Sequence, residues 1–62
     1  MRSIKELEAE WCVSGVDHVG SRMVYFFSNR EEGDDLVLRV SVSRTFADPA
    51  AQAWRKLGET VK

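Results

Sequence analysis

The chain has 62 residues, nine lysines and arginines against ten aspartates and glutamates, and a formal net charge of −1. This length predicts one domain, residues 1–62, with a stability of roughly 3–9 kcal/mol. A single cysteine excludes an internal disulfide, Cys12 and His18 alone do not make a zinc site, and the balanced charge disfavours a protein built for nucleic acid. We find no apolar run of transmembrane length and no signal-peptide core, and therefore expect a cytoplasmic protein. We also expect no cofactor and no metal.

The first predicted element is a short helix that begins after Ser3. Ser3 and Glu6 have the spacing of a capping box, in which each side chain accepts a hydrogen bond from the backbone of the other. Arg2 and Glu6 stand four residues apart and predict an exposed ion pair. The apolar residues at helical spacing, which are expected to close the core, are Ile4, Leu7 and Trp11.

From Cys12 onward the apolar residues alternate with a period of two and predict strands. Gly20-Ser21 fits a two-residue hairpin loop, because glycine adopts the positive φ angle that such turns require. This loop places Gly15 opposite Phe26, where a residue without a side chain suits a crowded position beside a large ring. The same alternation places Cys12 toward the core as a small buried apolar residue.

A second hairpin is predicted at the acidic segment that follows Asn29, with Glu32-Gly33 as its loop. This loop places Phe27 opposite Leu38, so that the apolar faces of the second and third strands coincide. The core face of the sheet is then expected to hold Val16, Met23, Tyr25, Phe27, Leu38, Val40 and Val42.

The last segment predicts a helix that begins at Asp48 and Pro49, since aspartate is a good N-cap and proline suits the first helical position. Gly58 is a candidate early end of this helix. Its apolar stripe consists of Ala50, Ala53, Trp54, Leu57 and Val61. The predicted fold class is therefore α+β, in the order α-β-β-β-α, with a three-stranded antiparallel meander and both helices packed on one face.

Two helices on one side leave the other face of the sheet open. Contiguous exposed apolar side chains often mark contact surfaces. In one interpretation Arg39 covers Phe26 and the remaining exposure is simply tolerated; in the other the face binds a partner or a second copy. The expected residues of this face are Val13, Val24, Phe26, Val37 and Arg39.

The acidic segment after Asn29 is expected to be exposed whether or not the open face binds a partner. Its spacing does not match a calcium-binding loop. A solvated turn is one interpretation, and a charged knob that steers a basic partner is the other. Its carboxylates belong to Glu31, Glu32, Asp34 and Asp35.

His18, the only histidine, is the one weak candidate for a catalytic acid or base. Its neighbour Asp17 points to the opposite face of a regular strand and cannot orient the imidazole, so a structural histidine is favoured. We therefore assign no catalytic residue. The candidate contacts to nucleic acid are Arg22, Arg44, Arg55 and Lys56.

The element order, the Gly20-Ser21-Arg22 turn and the Asp48-Pro49 helix start together resemble the HicA-like toxins of bacterial toxin–antitoxin pairs, which have the double-stranded-RNA-binding-domain fold. In that family a catalytic histidine follows Gly-Ser, whereas this chain has Arg22 there. The resemblance implies RNA binding, or an endoribonuclease toxin, as the alternative function. We expect foremost a small non-catalytic interaction module that binds a protein partner or self-associates through the open sheet face.

Overall fold

The computed structural model describes residues 3–61. Their elements are helix α1 (Ile4–Glu10), strands β1 (Trp11–Val19), β2 (Arg22–Asn29) and β3 (Gly33–Ser43), and helix α2 (Pro49–Thr60). The strands form one antiparallel sheet in the order β1-β2-β3. The predicted α+β fold with α-β-β-β-α order is confirmed. No helix within residues 3–61 has the length and apolar character needed to cross a membrane.

Side chains cap the start of both helices. The Glu6 N–H donates to Ser3 Oγ at 3.2 Å and the Ser3 N–H donates to Glu6 Oε1 at 3.1 Å, which confirms the capping box. In α2 the Ala51 N–H donates to the carboxylate of Asp48 at 3.2 Å. Arg2 lies outside the described residues, and so does its predicted ion pair with Glu6.

Gly58 does not end α2, contrary to the expectation from sequence. The helix continues to Thr60, and Gly58 is buried within it. Glycine costs a helix about 1 kcal/mol relative to alanine, which is small beside the packing of a buried helical turn. The neighbouring Leu57 is fully buried, so the last turn of α2 is held by the core.

The hairpin register is as predicted over most of the sheet. Gly20 has a φ angle of 58° and forms the first turn together with Ser21. The apolar faces of the strands therefore coincide. Predicted pairs that the structure shows are Gly15–Phe26, Val16–Tyr25, His18–Met23, Phe27–Leu38, Tyr25–Val40 and Met23–Val42.

A β-bulge at Ser14 interrupts the alternation of β1. Val13 pairs with Phe27 and Gly15 pairs with Phe26, so Ser14 is an extra residue in the strand. The Ser14 hydroxyl donates to the Phe26 carbonyl oxygen at 3.2 Å. Because of the bulge, Val13 shares the side of the sheet that faces the helices. This corrects the expectation that Val13 belongs to the open face.

The same bulge moves Cys12 away from its expected position. Cys12 pairs with Ser28 on the side opposite the core, and its Sγ lies 3.3 Å from Ser28 Oγ. It is half-buried, whereas Trp11 before it is buried in the core. The prediction of a core-facing Cys12 is therefore wrong, because one extra residue reverses the faces of everything that precedes it.

The acidic turn differs from the predicted two-residue loop. Asn29 pairs with Gly33, and residues 30–32 form the turn. Asn29 Oδ1 accepts hydrogen bonds from the N–H groups of Glu31 at 2.9 Å and Glu32 at 3.0 Å. Gly33 has a φ angle of 62°. An asparagine that bonds its own turn, followed by a left-handed glycine, favours a three-residue loop over Glu32-Gly33.

The core lies between the sheet and both helices. Phe27 is fully buried at its centre, with its ring centroid 4.6 Å from that of Trp54 and 6.3 Å from that of Tyr25. Residues of α1 and α2 belong to one cluster with the sheet, so both helices cover the same face. The buried members are Leu7, Trp11, Tyr25, Phe27, Val40, Val42, Ala53 and Leu57; Met23, Leu38, Ala50, Trp54 and Val61 pack against them.

The helices do not cover the whole of this face. Helix α2 packs mainly on β3, and α1 packs against α2 and β1. Val16, expected in the core, is therefore 42% exposed in the second half of β1. Ile4, the first residue of α1, is half-buried and lies outside the buried cluster.

Candidate functional site

The side of the sheet opposite both helices forms the candidate site, which we call the open face. Its side chains stand in four rows, and each row takes one residue from each strand. The rows are Val19, Arg22 and Ser43; Asp17, Val24 and Ser41; Gly15, Phe26 and Arg39; and Cys12, Ser28 and Val37.

Phe26 occupies the middle of the open face, on the central strand. It is half-buried, as is Val24 two residues before it. A Cβ atom built on Gly15 would lie 3.7 Å from Cδ2 of the Phe26 ring, so the ring leans toward β1. That distance is an ordinary contact, and the predicted crowding at Gly15 is therefore slight. Val37 is 42% exposed in the last row.

Arg22 extends across the open face from β2 to β3. Its Nε donates to Ser41 Oγ at 3.1 Å and its Nη2 donates to the Ser41 carbonyl oxygen at 3.1 Å. The guanidinium therefore lies over β3 instead of over its own strand. A guanidinium has five N–H groups in a fixed plane, and two such bonds leave others for an acceptor above the sheet.

The Ser41 carbonyl oxygen also accepts a hydrogen bond from Lys56 Nζ at 3.1 Å. The Arg44 N–H donates to the Ser21 carbonyl oxygen, and antiparallel pairs alternate, so the backbone groups of Ser41 point away from β2. This carbonyl group therefore lies on the outer edge of β3, where Arg22 approaches from one face and Lys56 from the other. We call this arrangement the Ser41 edge contact.

The predicted basic residues are only partly brought together. Arg22 and Lys56 meet at the Ser41 edge contact. Arg44 Nη1 donates to the Gly20 carbonyl oxygen at 3.3 Å, at the same end of the sheet. Arg55 is exposed on α2.

The acidic turn lies at the other end of the sheet. Arg30 ties it to α1, because its backbone N–H donates to the Glu10 carbonyl oxygen at 2.8 Å and its Nε to the Glu8 carbonyl oxygen at 2.9 Å. In residues 3–61, no group of three or more histidine, cysteine or acidic side chains is arranged to hold a metal ion. The four exposed carboxylates of the turn belong to Glu31, Glu32, Asp34 and Asp35.

His18 is exposed on β1 and pairs with Met23, on the side of the sheet that carries the helices. Asp17 pairs with Val24 on the open face, so the two neighbouring side chains diverge as predicted. Two shallow clefts of about 320 and 260 Å³ lie elsewhere, one beside Arg30 and the other beside Lys56. Within residues 3–61, neither Asp17 nor another carboxylate is hydrogen-bonded to the His18 imidazole.

Sequence analysis missed three features of the open face. Cys12 lies there because of the bulge, although it was predicted to face the core. Val19 is 59% exposed in its first row and was not predicted as a contact residue. Arg22 was predicted only as a nucleic-acid contact, although it stands diagonally across from Ser41 in the predicted register. Long side chains reach such diagonal neighbours, so the predicted register was sufficient to predict the contact between Arg22 and Ser41.

Comparisons of the chain with protein-family models, with curated proteins and with solved structures find no match. The arguments about function that follow therefore rest on the side chains of the open face and on their arrangement.

Proposed function

We propose that this chain is a small non-catalytic interaction module that binds protein through the open face. One observation carries the proposal: Phe26 stands at the centre of a sheet surface that neither helix covers. Covering an apolar side chain completely stabilises a complex by about 1.5–3 kcal/mol, and Val24 and Val37 flank Phe26 on this surface.

The charged residues of the open face suit the rim of an interface. Asp17, Arg22 and Arg39 are exposed and surround the apolar centre. Protein interfaces combine an apolar centre with a polar rim that remains accessible to water. This arrangement supports a specific docking surface in preference to apolar side chains that are exposed without a function. The charges around the apolar centre restrict how a partner can be oriented on it.

The acidic turn would act at a distance from the open face. Glu31 and Glu32 lie in the turn and Asp34 and Asp35 at the start of β3, so four exposed carboxylates are close in sequence at this end of the sheet. Clustered acidic charge accelerates encounter with a basic partner more than it strengthens the final complex.

We propose that the module is cytoplasmic. The free thiol of Cys12 supports this location, because a reducing compartment keeps thiols unpaired.

Val37 and Val16 provide a matched test of this proposal, since each is 42% exposed and they lie on opposite sides of the sheet. A photo-crosslinking phenylalanine derivative is introduced at either position and activated in the cells that make the protein. We expect a protein adduct from position 37 and little from position 16. The absence of an adduct from position 37, or equal adducts from both positions, would contradict the proposal.

A second candidate function is RNA binding, in keeping with the HicA-like resemblance. The observation in its favour is the Ser41 edge contact, which holds two cations, Arg22 and Lys56, beside one another. Phosphate contacts release counterions, so the affinity for RNA would fall steeply as salt rises. A mobility shift with single-stranded and duplex RNA tests this candidate, and no shift at low ionic strength would exclude it.

A further inference from the structure

We infer that the open face binds a second copy of this chain, with the two sheets packed face to face about a twofold axis parallel to the strands. The inference rests on the proposed function, since it names the partner of the same surface. Three observations carry it: the row of Asp17 and Ser41, the position of the Arg22 guanidinium, and the apolar residues between them.

Opposite charges stand on the two sides of one row. Asp17 is exposed on β1, and within the described part of the chain its carboxylate has no hydrogen bond or ion pair. At the other end of that row, on β3, the Arg22 guanidinium is held over Ser41. Val24 lies between them on the central strand. The row therefore has an acid, an apolar centre and a base in order.

A twofold axis along β2 places the β1 strand of each copy over the β3 strand of the other. Asp17 then lies opposite the partner's Arg22, and symmetry forms the same ion pair a second time. Val24 and Phe26 lie on the axis and meet the same residues of the other copy. The result is an apolar centre between two charge-assisted contacts, in a sandwich whose strands are nearly aligned.

The other face-to-face arrangement brings like charges together. An axis across the strands would place each β1 over the other β1 and each β3 over the other β3. With the axis between the two middle rows, each Asp17 would lie over Gly15 of the second copy, with no cation opposite it, and the Arg22 guanidinium would lie over the second copy's Arg39. Opposed like charges destabilise an interface, whereas the axis along the strands pairs Asp17 with Arg22 twice, so the charges of the open face favour that axis.

The size of the open face sets the strength of this dimer. Three strands about 4.8 Å apart and four rows about 6.7 Å apart give a footprint of roughly 14 by 27 Å. At roughly 380 Å² per copy, or about 760 Å² in total, this area is below the roughly 1,200 Å² of stable specific interfaces and corresponds to a weak, transient contact. We therefore expect monomer and dimer to exchange in solution, with a dimer fraction that rises with concentration.

Sedimentation velocity from micromolar to millimolar concentration tests the inference, with Asp17→Arg and Arg22→Asp as variants. Each variant alone is expected to dimerise at least tenfold more weakly, because like charges meet twice. An equimolar mixture restores the dimer, since one chain then contributes only bases and the other only acids at the two contacts. Circular dichroism confirms that both variants are folded.

The outcomes separate this inference from the proposed function. A wild-type chain that remains monomeric at millimolar concentration overturns the second copy as partner, and so does a mixture of variants that stays monomeric. If position 37 then crosslinks to a different protein, the proposed function stands without the inference. A dimer that persists in Phe26→Asp uses another surface, which contradicts the inference, and the crosslink from position 37 then decides the proposed function.

Discussion

Phe26 and Val16 allow the two sides of the sheet to be compared at the level of single residues. Phe26→Asp is expected to abolish association, because a charge would be buried at the centre of the interface. The monomer should remain folded with a loss of about 1–2 kcal/mol, since Phe26 is only half-buried. Val16→Asp, on the other side, should leave association unchanged.

Sedimentation and thermal unfolding measure these two effects separately. If Phe26→Asp unfolds the chain while its folded fraction still associates, Phe26 belongs to the core and the open face is not a contact surface.

Gly15 and Gly20 respond differently to a side chain. A Cβ atom on Gly15 would make an ordinary contact with Phe26 at 3.7 Å, so Gly15→Ala should raise the free energy of unfolding by about 0.4–1 kcal/mol. Gly20 has a φ angle of 58°, which an alanine adopts only with strain, so Gly20→Ala should lower the free energy of unfolding by about 1 kcal/mol or more. Urea unfolding of both variants measures the contrast, and a destabilised Gly15→Ala would show that the site is crowded after all.

At the level of elements, the start of α2 depends on one side chain. Asp48→Ala removes the acceptor for the Ala51 N–H and should cost about 1 kcal/mol of stability. Glu59→Ala, in the exposed last turn of the same helix, provides a control and should change stability by less than about 0.5 kcal/mol. The denaturant concentrations at the unfolding midpoints measure both changes in stability, provided that the dependence of the unfolding free energy on denaturant is the same in each variant. Equal effects of the two substitutions would mean that the cap contributes nothing specific.

The elements were predictable where a residue has a conformational role of its own. Ser3 with Glu6, Gly20 and Asp48 each specify a cap or a turn, and the register follows from them. The bulge was not predictable, because an extra Ser14 leaves no trace in composition and the strand reads as alternating on either side of it. The bulge exchanges two residues between the faces: Val13 moves to the side of the helices and Cys12 moves to the open face.

For the molecule as a whole, the small core leaves little reserve of stability. Leu57 is fully buried, and Leu57→Ala should cost about 2–5 kcal/mol, against a total of roughly 3–9 kcal/mol expected for this length. Leu36→Ala, at a residue 38% exposed, should cost far less. Guanidinium unfolding compares the two, and a mild effect of Leu57→Ala would show that the core is not a single cooperative unit.

The sequence predicted which side of the sheet the helices cover, but not how far they reach. Amphipathic spacing identifies Ala53 and Leu57 as buried, yet it does not specify that α2 lies mainly over β3 and leaves Val16 exposed. The side-chain pattern likewise predicts an open face without naming its occupant. The occupant that we infer, a second copy, is argued from the position of the Arg22 guanidinium, which depends on its tertiary hydrogen bonds to Ser41.

The Ser41 edge contact also limits how this protein aggregates. A further strand cannot add to β3 at Ser41 without displacing both Arg22 and Lys56 from the carbonyl oxygen. Two molecules that joined through their β1 strands would form one continuous six-stranded layer, ending in a cationic margin at each side. Strand addition between folded copies would stop there, so edge-to-edge association of the native sheet should yield pairs and no longer arrays.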